Sequence, residues 1–156
     1  MYIVAFQFTC RWIAHIDKPV IQDYSWWIAL VRKVAHRADR FQIRCWPDEP
    51  EAIAAGQRFG TQVKNTRSSE LVFTGPVTNV FIEHICENGF DENGVLKWFT
   101  IIFRQGEQDL FFSEHYGTEP YIFLKTEEGV EQFVQWSKQY PIISRVDCHV
   151  QGKDTT

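Results

Sequence analysis

Residues 95–116, VLKWFTIIFRQGEQDLFFSEHY, place two runs of aromatic and β-branched side chains on either side of a polar turn, Gln105-Gly106-Glu107-Gln108. That pattern predicts a β-hairpin. Folded about the turn, one face sets Phe103 opposite Leu110, Ile101 opposite Phe112 and Phe99 opposite Glu114. The other sets Arg104 against Asp109, Ile102 against Phe111, Thr100 against Ser113 and Trp98 against His115. Aromatic, hydroxyl and opposite-charge pairs of this kind each stabilise a hairpin by about 0.2–1 kcal/mol. A slip of one residue would put Arg104 among the phenylalanines, so a firm register is expected. Both faces carry large apolar groups, which places the hairpin near the centre of a covered sheet.

The rest of the chain supplies partners for it. Its 156 residues suit one domain, expected over 1–150, with a polar, flexible tail over 151–156. Thirteen Phe and six Trp are ample material for one core. Residues 2–12 alternate Tyr2, Val4, Phe6, Phe8, Cys10 and Trp12 against polar neighbours, which predicts a half-buried strand. Further strands are expected at 41–46, 71–74, 121–124 and 142–150, with loops at 13–22 and 61–69. Segment 77–87 admits two periods. As a strand, Val80, Ile82, His84 and Cys86 share a face; as a helix, Val77, Val80, Phe81, His84 and Ile85 do. Its β-branched content favours strand.

Three helices are expected, at about 23–39, 49–59 and 127–139. Asp23, Asp48 and Thr126 are their candidate N-caps, and Gly60 and Pro141 follow the second and third. Runs of adjacent strands with helices grouped around them predict an α+β fold, a mainly antiparallel central sheet with about three helices.

Cys10, Cys45, Cys86 and Cys148 are far apart, with no C-x-x-C, and all fall in predicted strands, so buried, reduced thiols are expected. No stretch approaches the roughly 20 apolar residues of a membrane-spanning helix. The apolar start lacks a basic leader and is interrupted by Gln7, Thr9 and Arg11, so a cytoplasmic protein is expected.

Charge is divided unevenly. Residues 1–67 carry +4 and residues 68–156 carry −8, against a net −4. An acidic half suits one basic protein partner better than nucleic acid. Glu83, Glu87, Asp91, Glu92, Glu107, Asp109, Glu114 and Glu119 are the candidate partner-binding residues, should their loops converge. The basic stretch 32–40, with Arg32, Lys33, His36, Arg37 and Arg40, fits a helix-dipole-stabilising face as well as a nucleic-acid stripe.

Catalytic motifs are absent: no G-x-G-x-x-G, no G-x-S-x-G and no H-E-x-x-H. No cofactor or metal is expected. Asp91-Glu92-Asn93-Gly94 lacks the spaced ligands of a calcium loop and reads as a hairpin turn. An alternative function, a small ligand binder or enzyme, would use His84 with Cys86, about 7 Å apart on a strand face. It could also use His115, which shares a strand face with Ser113.

The stretches FQIRCWPDEPEAIAAGQRFG at 41–60 and VLKWFTIIFRQGEQDLFFSEHYG at 95–117 resemble, as strand and helix patterns, the immunity proteins of bacterial toxin–immunity systems, including those of contact-dependent inhibition. The resemblance carries no functional residue onto this chain. It implies a non-catalytic module that binds one cognate toxin domain, often a nuclease, and blocks its active site.

Overall fold

The hairpin forms, and it lies at the centre of the sheet. In the computed structural model, which describes residues 1–15 and 17–151, β7 (Thr100–Gln105) and β8 (Gln108–Glu114) are joined by Gly106 and Glu107. Gly106 has φ of +56°, the left-handed conformation that such a tight turn needs. Arg104 pairs with Asp109, as expected, but the register then slips. Phe103 faces Phe111, Ile102 faces Phe112 and Ile101 faces Ser113. Leu110 is the extra residue of a β-bulge. With it, Leu110 and Phe111 are both buried, whereas the regular register would have placed Phe111 on the face away from Phe103. Residues 95–99 do not continue the strand. Leu96 bridges to Phe90, and the Trp98 indole donates to the Ile85 carbonyl at 3.0 Å instead of pairing with His115.

The other strands of the sheet are β1 (Tyr2–Phe8), β4 (Arg40–Cys45), β5 (Thr61–Val63), β6 (Leu71–Pro76), β9 (Glu119–Leu124) and β10 (Ile143–Val150). Their order is β10-β1-β9-β8-β7-β4-β6-β5, and every pairing is antiparallel. The fold is α+β. The first strand stops at Phe8, short of the expected Trp12. The chain then forms a separate small hairpin, β2 (Arg11–Ile13) with β3 (Lys18–Val20), where a loop was expected. β5 likewise replaces part of the loop expected at 61–69, pairing with the edge of β6.

Four helices form among the described residues, one more than the three or so expected: α1 (Ser25–Ala35), α2 (Pro50–Phe59), α3 (Asn79–Glu87) and α4 (Glu127–Ser137). α3 is the correction to the strand expected over 77–87. The Thr78 hydroxyl accepts from Phe81 N–H, and Phe81, Ile82, Ile85 and Cys86 are buried at helical spacing. A place for one apolar stripe on the sheet outweighs the weak strand preference of Val80, Ile82 and Ile85. Thr126 caps α4 as expected, accepting from Gly129 N–H. Elsewhere the caps differ: Tyr24 and Glu49 occupy the N-cap positions of α1 and α2, one residue past Asp23 and Asp48.

All four helices cover the same sheet face. Trp26 of α1 stacks on Phe8, and the Trp27 indole donates to the buried Ser113 hydroxyl at 2.8 Å. Phe81 stacks on Phe41 at 3.9 Å between ring centres, and Trp136 of α4 stacks on Phe6. α2 comes closest. A Cβ at Gly56 would lie 2.3 Å from the Phe73 ring, so only glycine allows this approach. The opposite face carries no helix among the described residues, and Phe112, Tyr121 and Phe123 are half-buried there.

The cysteines differ from expectation. Cys45 and Cys86 are buried, but Cys10 and Cys148 are exposed, and all four are free thiols. Cys10 escapes burial because β1 ends two residues earlier, and Cys86 lies on a helix. No described helix is long and apolar enough to cross a membrane. Of the expected tail, Gln151 donates its N–H to the Met1 carbonyl at 2.8 Å; 152–156 lie outside the described residues.

The helical assignment of α3 is open to a direct test. Phe81 is fully buried and Val80 is 62% exposed. Phe81→Ala should destabilise the protein by about 3–5 kcal/mol in urea titrations, and Val80→Ala by less than about 0.5 kcal/mol.

Candidate functional site

One end of the sheet, where β4 and β8 finish and β7 and β9 begin, is closed by an irregular turn. His115, Tyr116 and Gly117 have φ of 47°, 57° and 79°, three consecutive left-handed residues. For His115 and Tyr116 such a conformation costs on the order of 1–3 kcal/mol each and survives only where the surroundings hold it. They do. The Tyr116 hydroxyl donates to Glu49 Oε1 at 2.7 Å, its N–H donates to the Phe99 carbonyl, and its own carbonyl accepts from the Tyr24 hydroxyl at 3.1 Å. Glu49 is anchored at the start of α2, where Oε2 accepts from Trp46 N–H at 2.9 Å. Lys18 of β3 reaches both groups, with Nζ 3.5 Å from Glu49 Oε1 and 4.2 Å from the centre of the Tyr116 ring.

This turn forms one wall of a cleft of about 460 Å³ lined by Trp12, Pro19, Trp46, Phe99, His115 and Tyr116, with Cys10, Asp17, Thr118 and Glu119 among them. Asp17, at φ 51°, is the third non-glycine residue with positive φ among those described, so all three line this one cleft. Trp12 is the most exposed large aromatic, at 63%. The lining holds aromatic rings and the carboxylates of Asp17 and Glu119, and it includes no Lys or Arg.

The titratable groups around this end sit in a negative field. Although Cys10 is an exposed residue, partial desolvation of its thiol pushes it up, and the Glu119 charge pushes it further. Burial raises the Tyr121 phenol too, with Glu119 and Glu114 adding to it. Tyr116 is raised by burial and then by the carboxylate it donates to, so it stays protonated as the donor. Glu114 and Glu119 face each other directly on β8 and β9. Like charges so placed destabilise a sheet. His115 Nδ1 lies 3.1 Å from Glu119 Oε1 and offsets part of that repulsion when protonated.

The eight acidic residues singled out from the sequence do not converge on one surface. Glu119 lines this cleft and Glu114 faces Glu119 across the strands, while Asp91 borders an adjoining hollow with Lys18, Asp48 and Glu49. Asp91 there accepts from Asn93 and Val95 N–H, closing the turn expected at 91–94. Asp109 and Glu107 lie at the opposite end of β8, with Asp109 bound to Arg104 at 2.7 Å. Five residue steps along the strand, about 17 Å, separate Asp109 from Glu114. Glu83 and Glu87 are on α3, on the helix-covered side, where Glu83 pairs with Arg32 at 3.1 Å. Glu92 is exposed in the loop after α3. In the basic stretch, Arg32 is thus engaged, and Lys33 lies over the Phe133 ring.

The reactive groupings considered from sequence dissolve. On a helix, His84 and Cys86 project about 200° apart. Cys86 is buried near Arg32, while His84 borders a groove between α2 and α3. Ser113 is buried against Trp27, and the left-handed turn carries His115 out of the strand toward Phe99 and Glu119. Cys10, His115 and Glu119 share a cleft, but the Cys10 thiol is raised, the reverse of an activated nucleophile. No hydrogen bond joins it to His115 among the described residues. The arrangement suits binding. Sequence reading missed Trp12, Trp46, Glu49 and Tyr116. Only the bulky pair His115-Tyr116 ahead of Gly117 hinted at a special turn.

Comparison with known protein families, with curated proteins and with solved structures gives no match.

Tyr116→Phe removes the donor to Glu49 and should destabilise the protein by about 1–3 kcal/mol in urea titrations. Glu119→Gln removes a charge that raises the Cys10 thiol. The pH profile of Cys10 alkylation, followed in a Cys148→Ser background, should move to lower pH.

Proposed function

We propose that this protein is a non-catalytic binding module for a basic protein partner, acting as an immunity protein acts on its cognate toxin domain. The reading is carried by the facing pair Glu114 and Glu119 beside the aromatic cleft. Two carboxylates opposed across strands are unfavourable in the free protein and become favourable once a cation lies between them. A partner Lys or Arg would lay its aliphatic stem along Trp12, Trp46 and Phe99. Its charged head would face Glu119 and Asp17, combining carboxylate and cation–π attraction. Lys18 on Tyr116 and Glu49 is the same chemistry within the chain. The partner-binding set is accordingly Glu114, Glu119 and Asp17 around Trp12, a narrower group than the eight acidic residues of the sequence. A basic nuclease domain occupying this end of the sheet would have its cationic active-site surface covered.

The test is a pull-down with the purified protein at low and high salt, beside a Glu114→Gln/Glu119→Gln/Trp12→Ala variant. A basic protein released by salt from the wild type, with affinity for the variant reduced by more than about tenfold at a melting temperature no lower than the wild type's, is the expected result. Equal capture by the variant would overturn the reading.

A further inference from the structure

On the helix-covered side lies a groove of opposite character. Four residues of α2, Glu51, Ala54, Ala55 and Arg58, follow the i, i+3, i+4, i+7 spacing of one helix face. Across from them stand His84 and Asn88 of α3 and its C-cap, one turn apart. Lys97 and the buried Trp98 complete the lining, and the space between measures about 290 Å³. It exists because α2 presents two alanines where larger residues would reach α3.

Arg58, Lys97 and His84 supply donors there, and Glu51 supplies one carboxylate. Lys97 Nζ is held at 2.9 Å from Glu51 Oε2, so its position is set by α2. Arg58 lies against the Phe59 ring and has no carboxylate partner among the described residues. The His84 ring packs between Phe59, at 5.0 Å, and Trp98, at 6.3 Å, with no hydrogen-bond partner for its nitrogens among the described residues. Burial and then the charges of Arg58 and Lys97 hold His84 below its ordinary value. Glu51, the one carboxylate of the lining, is taken up by Lys97, which leaves Arg58 and the imidazole without an anion among the described residues.

We propose that the groove between α2 and α3 binds a small oxyanion, a phosphate or carboxylate group, through Arg58, Lys97 and His84. The guanidinium supplies a planar fork of donors, the lysine a point charge, and the imidazole N–H a third donor. Trp98 and Ala54 offer an apolar wall to whatever carries the group. The anion favours the protonated imidazole, so His84 rises on binding and affinity strengthens as pH falls into the range where the imidazole takes up its proton. The charged groups facing His84 are Arg58 and Glu51 from α2 and Lys97 from the segment before β7. Glu51 already belongs to Lys97.

The His84 imidazole signal, identified among the five histidines with His84→Gln, reports directly on this. It is to be titrated by NMR against pH in inorganic phosphate, in acetate and in chloride at equal ionic strength. The expected result is a saturable rise in the His84 pKa with phosphate or acetate and none with chloride. Arg58→Gln, on the exposed last turn of α2 and checked by circular dichroism for an unchanged fold, should weaken the effect by roughly tenfold or more. A response to phosphate alone assigns a phosphorylated ligand, and one to both anions a carboxylate-tolerant site. Titration curves that coincide in all three salts, or a response unchanged in Arg58→Gln, would overturn the proposal.

Discussion

An eight-stranded antiparallel sheet whose helices all lie on one face must build its whole core in a single layer. Helices of 9–11 residues can do this only with large side chains. Trp26, Trp27, Phe81, Phe133 and Trp136 descend from the helices onto Phe6, Phe41, Phe73, Phe103 and Phe111 of the sheet. The polar atom Trp27 brings into that layer is answered by the Ser113 hydroxyl, a hydrogen bond with no access to water. The aromatic richness of the chain is thus a consequence of one-sided cover. The bulge at Leu110 is another, because it turns Phe111 and Ser113 toward the helices.

That demand also explains where the clefts are. At the end of the sheet where β8 turns into β9 only the starts of α1 and α2 arrive, and the chain closes that end with side chains. Glu49, at the start of α2, ties Tyr116 of the left-handed turn and Lys18 of the small β2–β3 hairpin. The strain of His115 and Tyr116 is held there by hydrogen bonds to Phe99, Tyr24 and Glu49. The second cleft arises from the same economy of cover, where α2 offers Ala54 and Ala55 toward α3. The two clefts differ in polarity: carboxylates and rings at the sheet end, two cations and an imidazole with a single carboxylate between the helices. The ion pairs Lys18–Glu49 and Lys97–Glu51 stand between them, rooted in the first turn of α2 or just before it.

Patterns resting on nearest neighbours were legible. The alternation in 2–8, the turn at 106–107, the Arg104–Asp109 pair and the Thr126 cap all depend on residues within a few positions of one another. The α+β class followed from their sum. What escaped depended on distant partners. Segment 77–87 carries both periods, and only a vacant place on Phe41 and Phe103 decided for helix. Cys10 looked like an alternating core position until β1 ended at Phe8. The acidic residues were plain in the sequence, yet their grouping was not. Arg32 claims Glu83 and Arg104 claims Asp109, while only the β8–β9 register sets Glu114 against Glu119.

By itself, the sequence determined the class of fold, the central place of the hairpin and the presence of an acidic half. These follow from local periodicity, turn chemistry and composition, which act over a few residues or over the whole chain at once. The tertiary structure alone decided that Trp12, Trp46, Asp17 and Glu119 share a cleft and that His84 faces Arg58 and Lys97 instead of Cys86. Those placements depend on register and on packing between segments distant in the chain, where one extra residue at Leu110 or one helix in place of a strand redirects every side chain beyond it.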